Sequence, residues 1–242
     1  MMPLNVLVTG GSSASGIATA RALGAAGHRV FTVGSDDVRI KAAADEAGYG
    51  VTPLVCDLAD PDAVRELAGT VRGLGVERVD GVIHLVGGWR GAPGIEEQSD
   101  DDWDALVQGA VTTLRNVSRV FYRQLADSPQ GRLAVVSSTS VEAPAADSAN
   151  YAAAKAAAEA WTMAVADGFR REQAGNKESP TPQHSAAVVF VVSSLVDAGM
   201  RRRQPERRFP GSTDVEELAA AAVGLFDQPA ANLNGRRILL AK

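Results

Sequence analysis

The short buried-strand run Asn5-Val6-Leu7-Val8 passes directly into Thr9-Gly10-Gly11-Ser12-Ser13-Ala14-Ser15-Gly16, and a helical pattern follows from Ile17 to Ala26. A strand, a glycine-rich turn and a helix in that order read as the opening of a dinucleotide-binding unit. The first turn of such a helix offers unpaired N–H groups and a positive dipole end to a pyrophosphate. Glycines let backbone and phosphate approach closely.

The alternation continues along the chain. Strand runs at residues 4–8, 29–33, 51–55, 81–86, 133–136, 186–192 and 237–240 alternate with helical stretches. That pattern predicts an α/β fold, a Rossmann-like doubly wound parallel sheet. With 242 residues and no evident linker, residues 1–242 are expected to form a single domain. Asp60-Pro61, Ser99-Asp100 and Asp214 supply helix starts, and Asn234-Gly235 marks the turn into the last strand. Residues 173–184, polar and containing Gly175, Pro180 and Pro182, read as an exposed, mobile loop.

Composition narrows the function classes. The longest apolar stretch, residues 186–192, is too short to span a bilayer, and Met1-Met2-Pro3 leads into a strand rather than a signal peptide. A cytoplasmic protein without membrane association is expected. A formal charge of -5 gives no broad electrostatic reason to bind nucleic acid. Cys56 has no internal disulfide partner and reads as a buried small hydrophobe. His28, His84 and His184 lack ligand spacing, so no metal is expected.

Tyr151 and Lys155 stand one helical turn apart on one face of an alanine-rich segment that runs from Ala149 to Ala160 without proline or glycine. Free tyrosine titrates near about 10, and a fixed neighbouring cation favours phenolate, which would bring the phenol toward the range of efficient acid–base catalysis. Ser138 closes the run Gly131-Arg132-Leu133-Ala134-Val135-Val136-Ser137-Ser138, at the carboxyl end of a buried parallel strand. Ligands of open α/β sheets bind at such ends, so serine, tyrosine and lysine are expected to converge there.

With both ends read, the chain resembles the short-chain dehydrogenase/reductase family over nearly its whole length. Thr9, Gly10 and Gly16 fall in register on that family's Thr-Gly-x-x-x-Gly-x-Gly opening, with Ala14 in place of the middle glycine. Gly27 keeps the spacing to the turn before the second strand, and Asp57-Leu58 matches the pair that contacts adenine. Ser138, Tyr151 and Lys155 match the catalytic serine, tyrosine and lysine.

The resemblance implies hydride transfer between a nicotinamide cofactor and a small carbonyl, alcohol or imine-like substrate. Tyr151 would be the proton donor, Ser138 would hold the substrate oxygen, and Lys155 would hold the nicotinamide ribose. It implies cofactor contacts from Gly10, Ser12, Ser13, Ser15, Gly16, Ile17, Ser35, Asp57, Leu58, Val86, Gly87, Tyr151 and Lys155. A homodimer or homotetramer is expected by the same resemblance, through helices within residues 103–125 and 150–169. A substrate-covering segment is expected at about residues 195–213.

The departures mark a divergent member. The family's Asn-Asn-Ala-Gly is His84-Leu85-Val86-Gly87, its relay asparagine is Ala110, its Pro-Gly after the sixth strand is Ser193-Ser194, and a common threonine is Ala198. His84 is either a packed histidine bonded to backbone or a polar contact to cofactor or water. Trp89 either floors a substrate pocket or packs a loop. Met200 and Arg202 are further candidate substrate contacts. The arginines Arg201, Arg202, Arg203, Arg207 and Arg208 form either a solvated basic face or a cradle for an anionic substrate.

Gly34 and Ser35 end the second strand where an acid would bind both ribose hydroxyls, which leaves room for a 2′-phosphate. Asp36 and Asp37 would repel that phosphate if they point inward, with Arg39 to oppose them. NADP(H) is therefore expected over NAD(H). A different class stays open: a non-catalytic nucleotide-binding sensor or scaffold.

Overall fold

The computed structural model describes residues 3–175 and 181–240. In chain order the first elements are β1 (Asn5–Thr9), α1 (Ala14–Ala25), β2 (Arg29–Gly34), α2 (Asp37–Ala47), β3 (Val51–Val55), α3 (Pro61–Gly73) and β4 (Gly81–His84). Next come α4 (Asp100–Val107), a π-helical turn at Gln108–Thr112, α5 (Thr113–Asp127), β5 (Arg132–Ser138), α6 (Ala149–Gln173) and β6 (Ala186–Val192). The last part holds β7 (Leu195–Val196), α7 (Ala198–Arg203), β8 (Thr213–Asp214), α8 (Val215–Gly224), α9 (Ala230–Leu233) and β9 (Arg237–Leu239).

The helices begin where the side chains allow. Ser13, Asp60, Ser99 and Asp214 each accept a first-turn amide, from Gly16, Asp62, Asp102 and Glu216 respectively. Each such cap contributes on the order of 1 kcal/mol.

Seven strands pair in the order β3-β2-β1-β4-β5-β6-β9, and every pairing is parallel. Alternate side chains feed two cores. Leu7 and Val189 pack with Phe121 and Phe169 on one face, while Val6, Val8, Val188 and Phe190 pack with Leu218 and Phe226 on the other. Fully burying such a side chain stabilises the fold by roughly 1.5–3 kcal/mol. With helices on both faces, this is the expected doubly wound Rossmann-like architecture. The strand order reverses between β1 and β4, which opens a crevice at their carboxyl ends.

All seven expected strands lie in this sheet; residues 51–55 and 186–192 keep the expected ends, and the others shift. β5 continues past its apolar run through Ser137 and Ser138, because β6 continues opposite them at Val191 and Val192. β4 stops at His84. The two-residue strands β7 and β8 pair with each other and close the base of an excursion that carries α7, coinciding with the expected substrate-covering segment. Strands that short leave no periodicity to read.

One further expectation meets the structure differently. Gln173 opens the polar stretch before β6 but is buried, its amide donating to the Ala126 carbonyl at 2.9 Å and the Ser185 hydroxyl at 2.8 Å. The flank of that stretch is therefore anchored rather than loose; residues 176–180 lie outside the described residues. Arg132, almost fully buried, donates to the carbonyls of Gly131, His184, Leu225 and Gln228 at 2.8–2.9 Å. It fastens the start of β5 to the chain beyond α8. Burial pushes its pKa down to about 10. No helix among the described residues is long and apolar enough to cross a membrane.

Candidate active site

The turn between β1 and α1 is closed by Ser13. Its hydroxyl donates to the Gly10 carbonyl at 2.8 Å and accepts the Gly16 amide at 3.0 Å. The first intrahelical bond runs from the Ile17 amide to the Ser13 carbonyl, so the Ala14 and Ser15 amides stand free for an anion at the helix start.

A cleft opens in front of this turn. Among its lining are Gly10, Ser12, Ser13, Ser35, Asp57, Leu58, Val86 and Gly87, eight of the residues that the sequence assigns to the cofactor, together with Gly34, Asp36 and Arg39. Ser15, Gly16 and Ile17 lie behind it in the first turn of α1, where Ser15 and Gly16 are buried and Ile17 packs against the core. Gly34 has to be small: a Cβ there would lie 2.9 Å from the Ser12 hydroxyl. The cleft ends at Gly87, whose α-carbon faces Lys155 so closely that a Cβ would lie 3.2 Å from Nζ.

Lys155, Tyr151 and Ser138 meet at that end. The Lys155 ammonium is buried and donates to the Val136 carbonyl at 2.9 Å. Its other two donors have no hydrogen-bond partner among the described residues. Burial pushes its pKa down to about 8, against the opposing pull of Glu159. The Ser138 hydroxyl, 1% exposed, donates to Ser140 at 3.1 Å.

The Tyr151 pKa departs from the sequence expectation. Burial raises it, and the hydrogen bond with Ser138 opposes that rise without reversing it. Lys155 Nζ lies 5.8 Å from the Tyr151 ring centre, turned toward the Val136 carbonyl. Desolvation outweighs the Ser138 hydrogen bond here, so Tyr151 is held as a neutral phenol with a proton to give.

His84 is packed, and its bonds run to side chains rather than backbone. Nδ1 lies 2.7 Å from the Thr9 hydroxyl and Nε2 lies 3.1 Å from the Thr113 hydroxyl. Thr113 donates its own proton to the Gly109 carbonyl at 2.6 Å, so it accepts from Nε2–H, and Nδ1 accepts from Thr9. Burial, helped by the Lys155 charge, pushes the imidazole pKa down to about 3. His84 thereby ties β1 to the π-helical turn that carries Ala110, the position of the missing asparagine. Such π turns recur at functional sites.

Gln98 was not legible in the sequence, because an isolated loop glutamine carries no pattern. Its side chain accepts the Asn150 amide at 3.2 Å and donates to Ala146 and Gly94 carbonyls. The loop after β4 is thereby tied to the start of the helix bearing Tyr151. Trp89 on that loop is exposed, Met200 on α7 is half-buried, and Arg202 points into solvent.

The short chain dehydrogenase family model matches residues 4–174. An uncharacterized short-chain type dehydrogenase/reductase of Sinorhizobium fredii is 32% identical over 171 residues, which span 68% of this chain and 65% of that protein's own length. Gluconate 5-dehydrogenase of Gluconobacter oxydans is 27% identical over 97% of this chain and 91% of its own. Among solved structures, NAD+-bound xylitol dehydrogenase superposes with a TM-score of 0.79 over 98% of this chain and 97% of its own, at 19% identity, a likeness of fold alone.

Proposed function

The chain belongs to the short-chain dehydrogenase family, and we propose that it is a nicotinamide-dependent oxidoreductase acting on a small carbonyl, alcohol or imine-like substrate. One observation carries this reading: a buried ammonium, a protonated phenol and a strand-end hydroxyl meet where the cleft ends at Gly87.

The residues present fit the cofactor. The free first-turn amides of α1 would receive the pyrophosphate, Asp57 and Leu58 the adenine, and the two unused Lys155 donors the nicotinamide ribose. When bound, the nicotinamide supplies or accepts the hydride. Tyr151 gives its phenolic proton to the substrate oxygen in reduction. Ser138 hydrogen-bonds that oxygen and stabilises the charge developing on it. Lys155, as an ammonium beside the phenol, favours the phenolate that proton transfer leaves.

NADP(H) is favoured over NAD(H). The Asp36 carboxylate is engaged by the Arg39 amide at 2.8 Å, and Asp37 by Lys41 at 2.9 Å. The Arg39 guanidinium has no ion pair among the described residues and lines the cleft beside Ser35. These observations support a 2′-phosphate contact. Trp89, Met200 and Arg202 would meet the substrate, and the active form would be a homodimer or homotetramer of a cytoplasmic protein.

The test is titration of the protein with NADPH and NADH, followed by fluorescence or calorimetry, then a carbonyl panel with each. Binding of a reduced cofactor with turnover of at least one carbonyl is expected. Binding without turnover on any substrate would favour the sensor reading, and no binding at millimolar cofactor would end the assignment.

A further inference from the structure

Beyond the residues that the family model covers, β9 reaches back to the helix that carries Tyr151 and Lys155. Glu159 follows Lys155 by one helical turn and is buried, its side chain only 9% exposed. It accepts the Ser137 hydroxyl at 2.5 Å through Oε1, and Arg237 Nε at 2.7 Å through Oε2. Arg237 Nη2 makes a longer contact to Oε1 at 3.4 Å, and Nη1 donates to Glu142 in the segment between β5 and α6.

We propose that Glu159 is the positioning residue of the catalytic helix: held between Ser137 of β5 and Arg237 of β9, it fixes where α6 carries Tyr151 and places a negative charge beneath Lys155. The inference rests on the reading of Ser138, Tyr151 and Lys155 as the catalytic set.

Two bonds fasten α6 to β5 at this point, Lys155 to the Val136 carbonyl and Ser137 to Glu159, one helical turn apart on the helix and on adjacent residues of the strand. Together they define both the height and the rotation of the helix over the strand that ends in Ser138. A buried carboxylate in this place needs a cation, and β9 supplies one in Arg237.

The charges around Lys155 all bear on the outcome. On its own helix stand Tyr151, neutral, and Glu159, which raises the lysine pKa against burial. From β4 comes His84, held neutral. From β9 comes Arg237, which pairs with both Glu159 and Glu142, the latter in the segment after β5.

The chain has only four lysines, Lys41, Lys155, Lys177 and Lys242, so lysine labelled with carbon-13 at Cε gives a spectrum in which each titration is followed separately. Lys155→Met assigns the signal of interest. The wild-type Lys155 midpoint is expected at about 8. Glu159→Gln keeps the size of the side chain and an acceptor for Ser137 while removing the charge, and it should lower the midpoint by about half a unit or more. Arg237→Gln should not lower it, because the carboxylate then acts uncompensated. An unchanged midpoint in folded Glu159→Gln would overturn the proposal.

If the single variant fails to fold, the double variant Glu159→Gln with Arg237→Gln removes both members of the pair, which folds tolerate better than removing one. Its Lys155 midpoint should also fall below wild type, since Glu159 is the closer charge; equality with wild type would likewise overturn the proposal. No cofactor is present in these titrations. A protein that bound neither NADPH nor NADH would therefore sink the functional reading and leave the midpoints standing, so the two failures are separable.

Discussion

Thr9 of β1 and His84 of β4 are register partners across the sheet, and their side chains meet there, Oγ1 to Nδ1 at 2.7 Å. A buried imidazole in that place must stay neutral, because its hydrogen-bond partners among the described residues are two hydroxyls and the charge of Lys155 opposes protonation.

The first prediction concerns acid stability. Unfolded, the imidazole titrates near about 6.5; folded, it is held down to about 3. Between these values the unfolded chain binds the extra proton, so the contribution is complete above the unfolded pKa and is lost as pH falls toward the folded one. His84→Gln retains a donor and an acceptor but cannot titrate. Urea unfolding at pH 7 and pH 4.5 should show a smaller acid loss in the variant than in wild type, by about 2 kcal/mol. Equal losses would mean that His84 is hydrated and charged in the native state.

A second prediction follows from the same direction of shift at Lys155, which acts in a higher pH window. Its pKa is depressed to about 8 by burial, so at neutral pH the folded protein carries an ammonium it would more readily hold in water. Lys155→Met should raise stability at pH 7, on the order of 1–3 kcal/mol after loss of the Val136 bond. The advantage should shrink as pH rises from about 8 toward the unfolded value, because wild type then sheds the proton on folding. Thermal melts across that range read it directly. The variant should also bind cofactor more weakly, a trade of function for stability.

How much of this was legible depended on whether the information was local. The turn at Gly10, the caps at Asp60, Ser99 and Asp214, and the apolar runs of all seven sheet strands depend on neighbours in sequence and could be read from it. The convergence of Ser138 with Tyr151 and Lys155 could also be read, since strand end and helix face follow from period. What could not be read depends on distant partners. Nothing near Glu159 announces Arg237, 78 residues away. The direction of the Tyr151 shift failed for the same reason, because burial comes from the whole fold whereas the Lys155 charge is visible at four residues' distance.

The third prediction is that Tyr151→Phe lowers kcat by roughly a hundredfold or more on any substrate found, the usual scale for a lost general acid. Cofactor affinity should change little, since only one hydroxyl is removed. Retention of most of the wild-type rate would mean that another group delivers the proton.

The fourth concerns α7. Arg201 pairs with Asp214 at 3.5 Å and lies over Phe209, as does Arg207, whereas Arg202 is exposed and unpaired among the described residues. If α7 covers an anionic substrate, replacing Arg202 and Arg203 together by glutamine should raise KM for it about tenfold, equivalent to about 1.4 kcal/mol. A neutral substrate should be spared. The effect should weaken with added salt, since exposed charges are screened over about 8 Å at physiological ionic strength. Equal effects on both substrates would return α7 to a solvated surface role.

The last prediction tests the cofactor preference at Arg39. An acid at the end of β2 would compete with a 2′-phosphate, but residue 34 is glycine, and the space beside it is taken by the Ser12 hydroxyl, 2.9 Å from where a Cβ would stand. The two acids that follow are both engaged, Asp36 capping α2 through the Arg39 amide and Asp37 bonded to Lys41. The Arg39 guanidinium is the cation lining this end of the cleft among the described residues, beside the Asp36 carboxylate, and it has no ion pair there. Charge-assisted bonds to a phosphate are worth more than neutral ones. Arg39→Ala should therefore raise the Kd for NADPH about tenfold or more and leave that for NADH within about twofold, a difference of roughly 1 kcal/mol or more. Measuring both cofactors on both proteins isolates the 2′-phosphate, because everything else in the two ligands is shared. A parallel loss for NADH would mean that Arg39 acts on the adenosine rather than on its phosphate, and a wild type that binds NADH more tightly would reverse the preference itself.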